Sequence, residues 1–185
     1  MSGPNDKAAN DPGGAGAVPS AVPDDRALAV LARNLGSQLL AAGQTVATAE
    51  SCTGGWIAKV LTDAAGSSGW FGWGFVTYSN AAKQALVGVP AETLEDHGAV
   101  SEAVVRVMAA GALAETGADH AVAVSGIAGP DGGSADKPVG TVWFAWATRG
   151  EEGPRVRAIV RRFEGDREAV RRQSVAFALR GVLEP

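Results

Sequence analysis

A single cysteine, Cys52, excludes an intrachain disulfide and any Cys-rich zinc site. Histidine is nearly as scarce: His97 and His120 are the only two, His97 in an expected loop and His120 opening an expected strand, so a Ser/His/Asp triad has little to draw on. No segment approaches the roughly 20 consecutive apolar residues that a membrane span requires. Positive charge is also short, with 16 Lys and Arg against 20 Asp and Glu and a net charge of −4. That balance disfavours nucleic acid and anionic membranes as partners, since phosphate contacts call for an excess of cations. The expected partner is a small soluble molecule, and the expected compartment is the cytoplasm. Three catalytic signatures are missing as well. There is no Gly-x-Ser-x-Gly elbow, no Gly-x-Gly-x-x-Gly after the first expected strand, and no Gly-x-x-x-x-Gly-Lys-Ser/Thr phosphate loop.

What is present suffices for one globular domain: 185 residues, 46% hydrophobic and 19% charged. Residues 1–23 mix Pro, Gly, Ala and polar residues without the basic start and apolar run of a secretory signal, so they are expected to be a disordered tail. The folded domain is expected over residues 24–185. Leu28, Leu31, Leu35 and Leu39 recur at helical spacing, which predicts a helix over 25–42 closed by Gly43. A strand over 45–49, a Thr-Gly-Gly turn and a helix carrying Trp56, Ile57, Val60 and Leu61 follow. The next expected elements are a strand over 74–79 and a short helix over 80–87. Ser101 caps an expected helix to residue 116, with Gly117 at its end. A strand over 120–125, a Gly-rich loop, two strands over 140–148 and 155–163 joined as a hairpin, and a helix capped by Asp166 complete the chain. Helices interleaved with strands, then a terminal hairpin, predict an α/β fold, a single layered α/β/α domain on a mixed sheet.

The stretch AESCTGGW, residues 49–56, admits two readings. Ser51 and Thr53 can be helix caps, with two glycines permitting close packing. The same geometry also suits a nucleophile, because a serine between a strand end and a helix start has backbone N–H groups and a positive dipole end beside it. With no histidine placed to serve, YSNAAK offers Tyr78 at a strand end and Lys83 on the following helix. The Tyr-x-x-x-x-Lys spacing is one residue too long for the Tyr-x-x-x-Lys of short-chain dehydrogenases. In a parallel sheet the carboxyl ends of adjacent strands share a crevice, so Ser51, Tyr78 and Lys83 can meet; an exposed lysine and a tyrosine with a satisfied hydroxyl is the alternative. SGIAGPDGG, residues 125–133, follows a strand directly and can present N–H groups to an anion, or be a surface loop. Nine arginines follow Thr148, but six acidic residues are interspersed with them, which reads as a solvated face. Arg167 differs, since it stands in the first turn of a helix, where a cation opposes the dipole and an anionic ligand would offset that cost.

In combination, TAESCTGGWIAKVLTDAAGSSGWF, FVTYSNAAKQALVGV, HGAVSEAVV and VSGIAGPDGGSADKPVGTVWFA closely resemble the stand-alone CinA C-terminal domain family, over about residues 28–183. Characterised members of that family are nicotinamide-nucleotide amidohydrolases. The resemblance implies hydrolysis of the carboxamide of nicotinamide mononucleotide to nicotinic acid mononucleotide and ammonia, in pyridine nucleotide recycling. It carries the family's serine onto Ser51, its tyrosine onto Tyr78 and its lysine onto Lys83. Cys52 is then expected to point into the core. The chain leaves no room for the metal-dependent domain of the longer CinA proteins, so no metal and no cofactor are implied. On this reading Ser51 attacks, Lys83 is the base, and Tyr78 relays the proton or protonates the leaving amine. The N–H groups of Thr53, Gly54 and Gly55 are the oxyanion candidates. Ser125, Gly126, Ala128, Gly129 and Arg167 are the candidates for ribose and phosphate. A homo-oligomer is possible. Two rivals stand beside this reading: a non-catalytic nucleotide-binding or competence-related interaction module, and an amidase for another small amide.

Overall fold

The computed structural model describes residues 22–184. The expected tail therefore lies outside the described residues except for Val22 and Pro23. The elements run α1 (Asp25–Ala42), β1 (Val46–Glu50), α2 (Trp56–Thr62), β2 (Phe71–Val76), α3 (Asn80–Val87), α4 (Ala91–His97), α5 (Glu102–Thr116), β3 (His120–Gly126), β4 (Thr141–Thr148), β5 (Arg155–Arg162) and α6 (Arg167–Arg180). The expected caps form: Asp24, Ser101 and Asp166 each accept an N–H from the first turn of their helices, and Gly43 and Gly117 close α1 and α5 in the left-handed region.

The sheet order is β2-β1-β3-β4-β5, with β2, β1 and β3 parallel and β4 and β5 antiparallel. The expected mixed sheet and α/β class are thus observed. Two elements depart from expectation. Strand β2 lies three residues earlier than the predicted 74–79, because Ser79 is diverted to cap α3, accepting the N–H of Ala82. Helix α4 was not expected at all, and His97 is its last residue rather than part of a loop.

Period-2 alternation divides the sheet into two chemically different faces. Val122, Val124, Val142, Phe144 and Trp146 point into a core shared with α1, α2 and α6. Ala47, Ala49, Ala121, Ala123, Ala145 and Ala147 point the other way, toward α5. Small side chains there let α5 sit close to the strands. The same alternation decides the site: along β1, Glu50 falls on the large-residue face beside α2, and Ser51, one residue on, falls on the alanine face beside α3.

Candidate active site

Ser51 follows the last residue of β1 and is buried, its N–H donating to the Val124 carbonyl at 2.9 Å. The next turn is closed by the Gly54 N–H on the Ser51 carbonyl at 3.0 Å. Gly54 and Gly55 both take positive φ, 61° and 90°, in the left-handed region where other residues are strained. Behind the turn stands Glu50, 1% exposed, whose carboxylate accepts the N–H groups of Ile57 and Ala58 at 2.9 and 2.8 Å. A buried carboxylate thus caps α2 and fixes it to the end of β1. The dipole end assigned to Ser51 on sequence grounds is occupied by Glu50.

Lys83 comes from α3 and is 1% exposed. Its Nζ lies 3.1 Å from Ser51 Oγ and donates to the Thr77 carbonyl at 2.8 Å. Burial pushes the lysine below its ordinary value of 10.5, because a cation loses hydration there, and among the described residues no carboxylate pairs with it to offset the loss. Burial therefore favours loss of the lysine proton, and its Nζ stands within hydrogen-bond distance of both the Thr77 carbonyl and Ser51 Oγ. Cys52, adjacent in sequence, joins the apolar core as expected, and burial drives its thiol up to about 12, so it stays protonated.

A cleft of about 210 Å³ opens beside this pair, and Ser51, Lys83, Tyr78, Ser125, Gly126, Ala128 and Arg167 all line it. Tyr78 is largely exposed at the mouth. Its hydroxyl accepts from Arg167 at 3.2 Å, and among the described residues it bonds neither Ser51 nor Lys83. Arg167 also donates to the Gly129 carbonyl at 2.6 Å and so ties α6 to the Gly-rich loop. Ser125 Oγ donates to the Ala99 carbonyl at 2.7 Å.

Gly54 and Gly55 are not brought to this cleft: they line a separate depression with Trp56, Lys59, Arg171 and Arg172. Thr53 is fully buried, and its Oγ1 is the one buried side-chain polar atom without a partner among the described residues. Asn80, Ala99 and Val100 line the cleft without having been anticipated. Arg171 was missed too. It donates to the carbonyls of Cys52 and Thr53, 119 and 118 residues earlier. Its only sequence signal is position, one helical turn beyond Arg167. Among the described residues no group of three His, Cys, Asp or Glu could hold a metal ion, and no helix is long and apolar enough to cross a membrane.

A mixed-sheet α/β domain with a buried Ser–Lys pair at the end of its first strand defines the class. The chain belongs to the CinA C-terminal domain family, whose model matches residues 28–185. It is 62% identical over 157 residues to the nicotinamide-nucleotide amidohydrolase PncC of Escherichia coli K12, covering 84% of this chain and 92% of that protein. It is 55% identical to the PncC of Pseudomonas putida, over 85% of this chain and 96% of the other. Among solved structures it is similar to the competence damage-inducible protein A of Klebsiella pneumoniae, with a TM-score of 0.79 at 44% identity over 83% of this chain and 93% of that one.

Proposed function

We propose that this chain hydrolyses the carboxamide of nicotinamide mononucleotide to nicotinic acid mononucleotide and ammonia, and that Ser51 is the nucleophile and Lys83 its base. The observation that carries the mechanism is the 3.1 Å approach of a buried, uncompensated Lys83 to Ser51 Oγ. Keeping a lysine from solvent lowers its hold on its proton and so favours the basic amine, and a serine beside a base is an activated nucleophile. The names of relatives at 55–62% identity support the amide substrate.

Ser51 Oγ forms a bond to the carboxamide carbon while its proton passes to Lys83 Nζ. The C–N bond then breaks, Lys83 returns the proton to the leaving nitrogen, and ammonia departs. Water repeats the sequence against the acyl-serine, Lys83 taking its proton and giving it back to Ser51 Oγ as nicotinic acid mononucleotide is released. The cleft is smaller than the roughly 300–1,000 Å³ that drug-sized ligands occupy. It suits the pyridine carboxamide, with ribose and phosphate extending past Tyr78 toward Arg167. Arg167 braces Tyr78 in this scheme, and Tyr78 closes the mouth. The activity belongs to pyridine nucleotide recycling in the cytoplasm.

Ammonia release tests the reading. Nicotinamide mononucleotide is expected to react at least 100-fold faster than free nicotinamide, because binding of the ribose phosphate positions the carboxamide. Equal rates, or none with the nucleotide, would overturn the substrate assignment.

A further inference from the structure

Hydrolysis of an amide passes through a tetrahedral oxyanion, and the turn after Ser51 offers few N–H groups to hold it. The Ser51 N–H is taken by the Val124 carbonyl and the Gly54 N–H by the Ser51 carbonyl. Among the described residues no acceptor oxygen takes the N–H of Cys52 or of Thr53. Cys52 lines the cleft directly beside Ser51.

A planar trans peptide points its N–H opposite to the preceding C=O, so the direction of each free N–H is set by what holds the carbonyl before it. Arg171 holds two of these carbonyls at once. Its Nε donates to the Cys52 carbonyl at 3.1 Å and its terminal nitrogen to the Thr53 carbonyl at 2.8 Å. The first contact aims the Thr53 N–H away from Arg171. The second orients the Gly54 N–H, which closes on the Ser51 carbonyl and thereby aims the Cys52 N–H. Both free donors depend on one guanidinium. Among the described residues no carboxylate pairs with Arg171, and its plane lies over the Trp56 ring at 4.9 Å, which holds the side chain in place. Arg167, one turn earlier on α6, grips the opposite wall through Gly129.

We infer that Arg171 is the positioning residue of the oxyanion site, and that the Cys52 N–H, on the cleft wall, is its donor. This rests on the reading of Ser51 as nucleophile. Arg171 touches no substrate atom; it acts through the turn.

The test is steady-state ammonia release from nicotinamide mononucleotide by the full chain carrying Arg171→Ala or Arg171→Lys, with melting temperature measured on the same preparations. Loss of one oxyanion donor lowers kcat by about 100- to 1,000-fold, so Arg171→Ala is expected to lose at least that much kcat with KM changed less than about threefold. Arg171→Lys, which keeps charge and stem but has no fork to reach both carbonyls, is expected to lose about tenfold or more and serves if the alanine variant does not fold. Millimolar guanidinium added to Arg171→Ala should restore kcat at least tenfold while leaving Arg171→Lys unchanged, a response that a merely structural role does not produce. A folded variant with kcat within twofold of the parent, a loss confined to KM, or a loss that guanidinium does not relieve overturns the inference. Ser51→Ala runs alongside: retained turnover there removes the nucleophile reading itself, whereas loss in Ser51→Ala with parental kcat in Arg171→Lys removes only the role of Arg171.

Discussion

Ser51, Cys52 and Thr53 are consecutive, yet each has a different environment, and substitutions should separate them. Ser51→Ala and Lys83→Ala are each expected to remove nearly all turnover. Their double mutant should be little worse than either, because parts of one acyl-transfer unit are strongly non-additive; a further 100-fold loss on combining them would show that they act independently. Cys52→Ala should keep most of the turnover per folded molecule, since a thiol raised to about 12 supplies no thiolate, and should lose about 1–2 kcal/mol of stability as a small core side chain is trimmed. Thr53→Val is more informative. Among the described residues its buried hydroxyl has no partner, so a methyl of the same shape should stabilise the fold by about 1 kcal/mol or more. Thermal melting would reveal a hidden partner if the valine variant were instead less stable. The meeting of Ser51, Tyr78 and Lys83 in one cleft was legible because the first two follow strand ends, the third lies on the next helix, and all three match family motifs. Glu50, directly before the nucleophile, and Arg171, more than a hundred residues after it, were not, since their roles consist of tertiary hydrogen bonds that local pattern does not encode.

At the scale of elements, Lys83 is only as well placed as α3, and α3 is held against α5 by a glycine. A Cβ built on Gly111 would fall inside contact distance of the Val87 carbonyl oxygen, the last residue of α3. Two effects oppose each other in Gly111→Ala. Helix propensity favours alanine by about 0.5–1 kcal/mol, whereas overpacking against a fixed backbone costs about 1–3 kcal/mol. Backbone cannot rotate away as a side chain can, so the second effect should win. The variant is expected to melt lower and to lose turnover beyond its loss of folded protein, as α3 shifts Lys83 from Ser51. A higher melting temperature with full activity would mean that α3 yields freely. Most helices were readable because each carries a cap and an apolar stripe: α1 matches its predicted span of 25–42, and α3 its span of 80–87. Helix α4 escaped because Leu94 is its only buried residue, which leaves no periodicity to see. Strand β2 slid because Gly72 and Gly74 weaken its start, while Thr77 to Ser79 look strand-like and are in fact the turn into α3.

For the molecule as a whole, Lys83 ties stability and activity to one proton. Its folded value lies below 10.5, the value of the unfolded chain, and the sign follows. Below the folded pKa both states carry the proton, and the fold bears the full cost of a buried cation. Between the folded pKa and about 10.5 the unfolded chain binds more protons, so this group makes stability rise with pH by up to about 1.4 kcal/mol per unit. Above about 10.5 its contribution vanishes. Cys52, whose thiolate would raise the Lys83 value, stays protonated until about 12 and does not intrude on that window. The difference in melting temperature between Lys83→Met and the parent isolates the effect, since other groups cancel to first order. Methionine keeps the stem and removes the charge, while forfeiting the hydrogen bond to the Thr77 carbonyl at every pH. The difference should therefore favour methionine most at low pH, stay level up to the folded pKa of Lys83, and fall steadily toward about pH 10.5. In the parent, kcat should rise with pH across the lower end of the same window, as Lys83 loses its proton and becomes a base. A difference in melting temperature that stays flat from about pH 6 to 10, together with a kcat that does not respond to pH, would mean that Lys83 keeps an ordinary lysine proton and that Ser51 is activated by some other group.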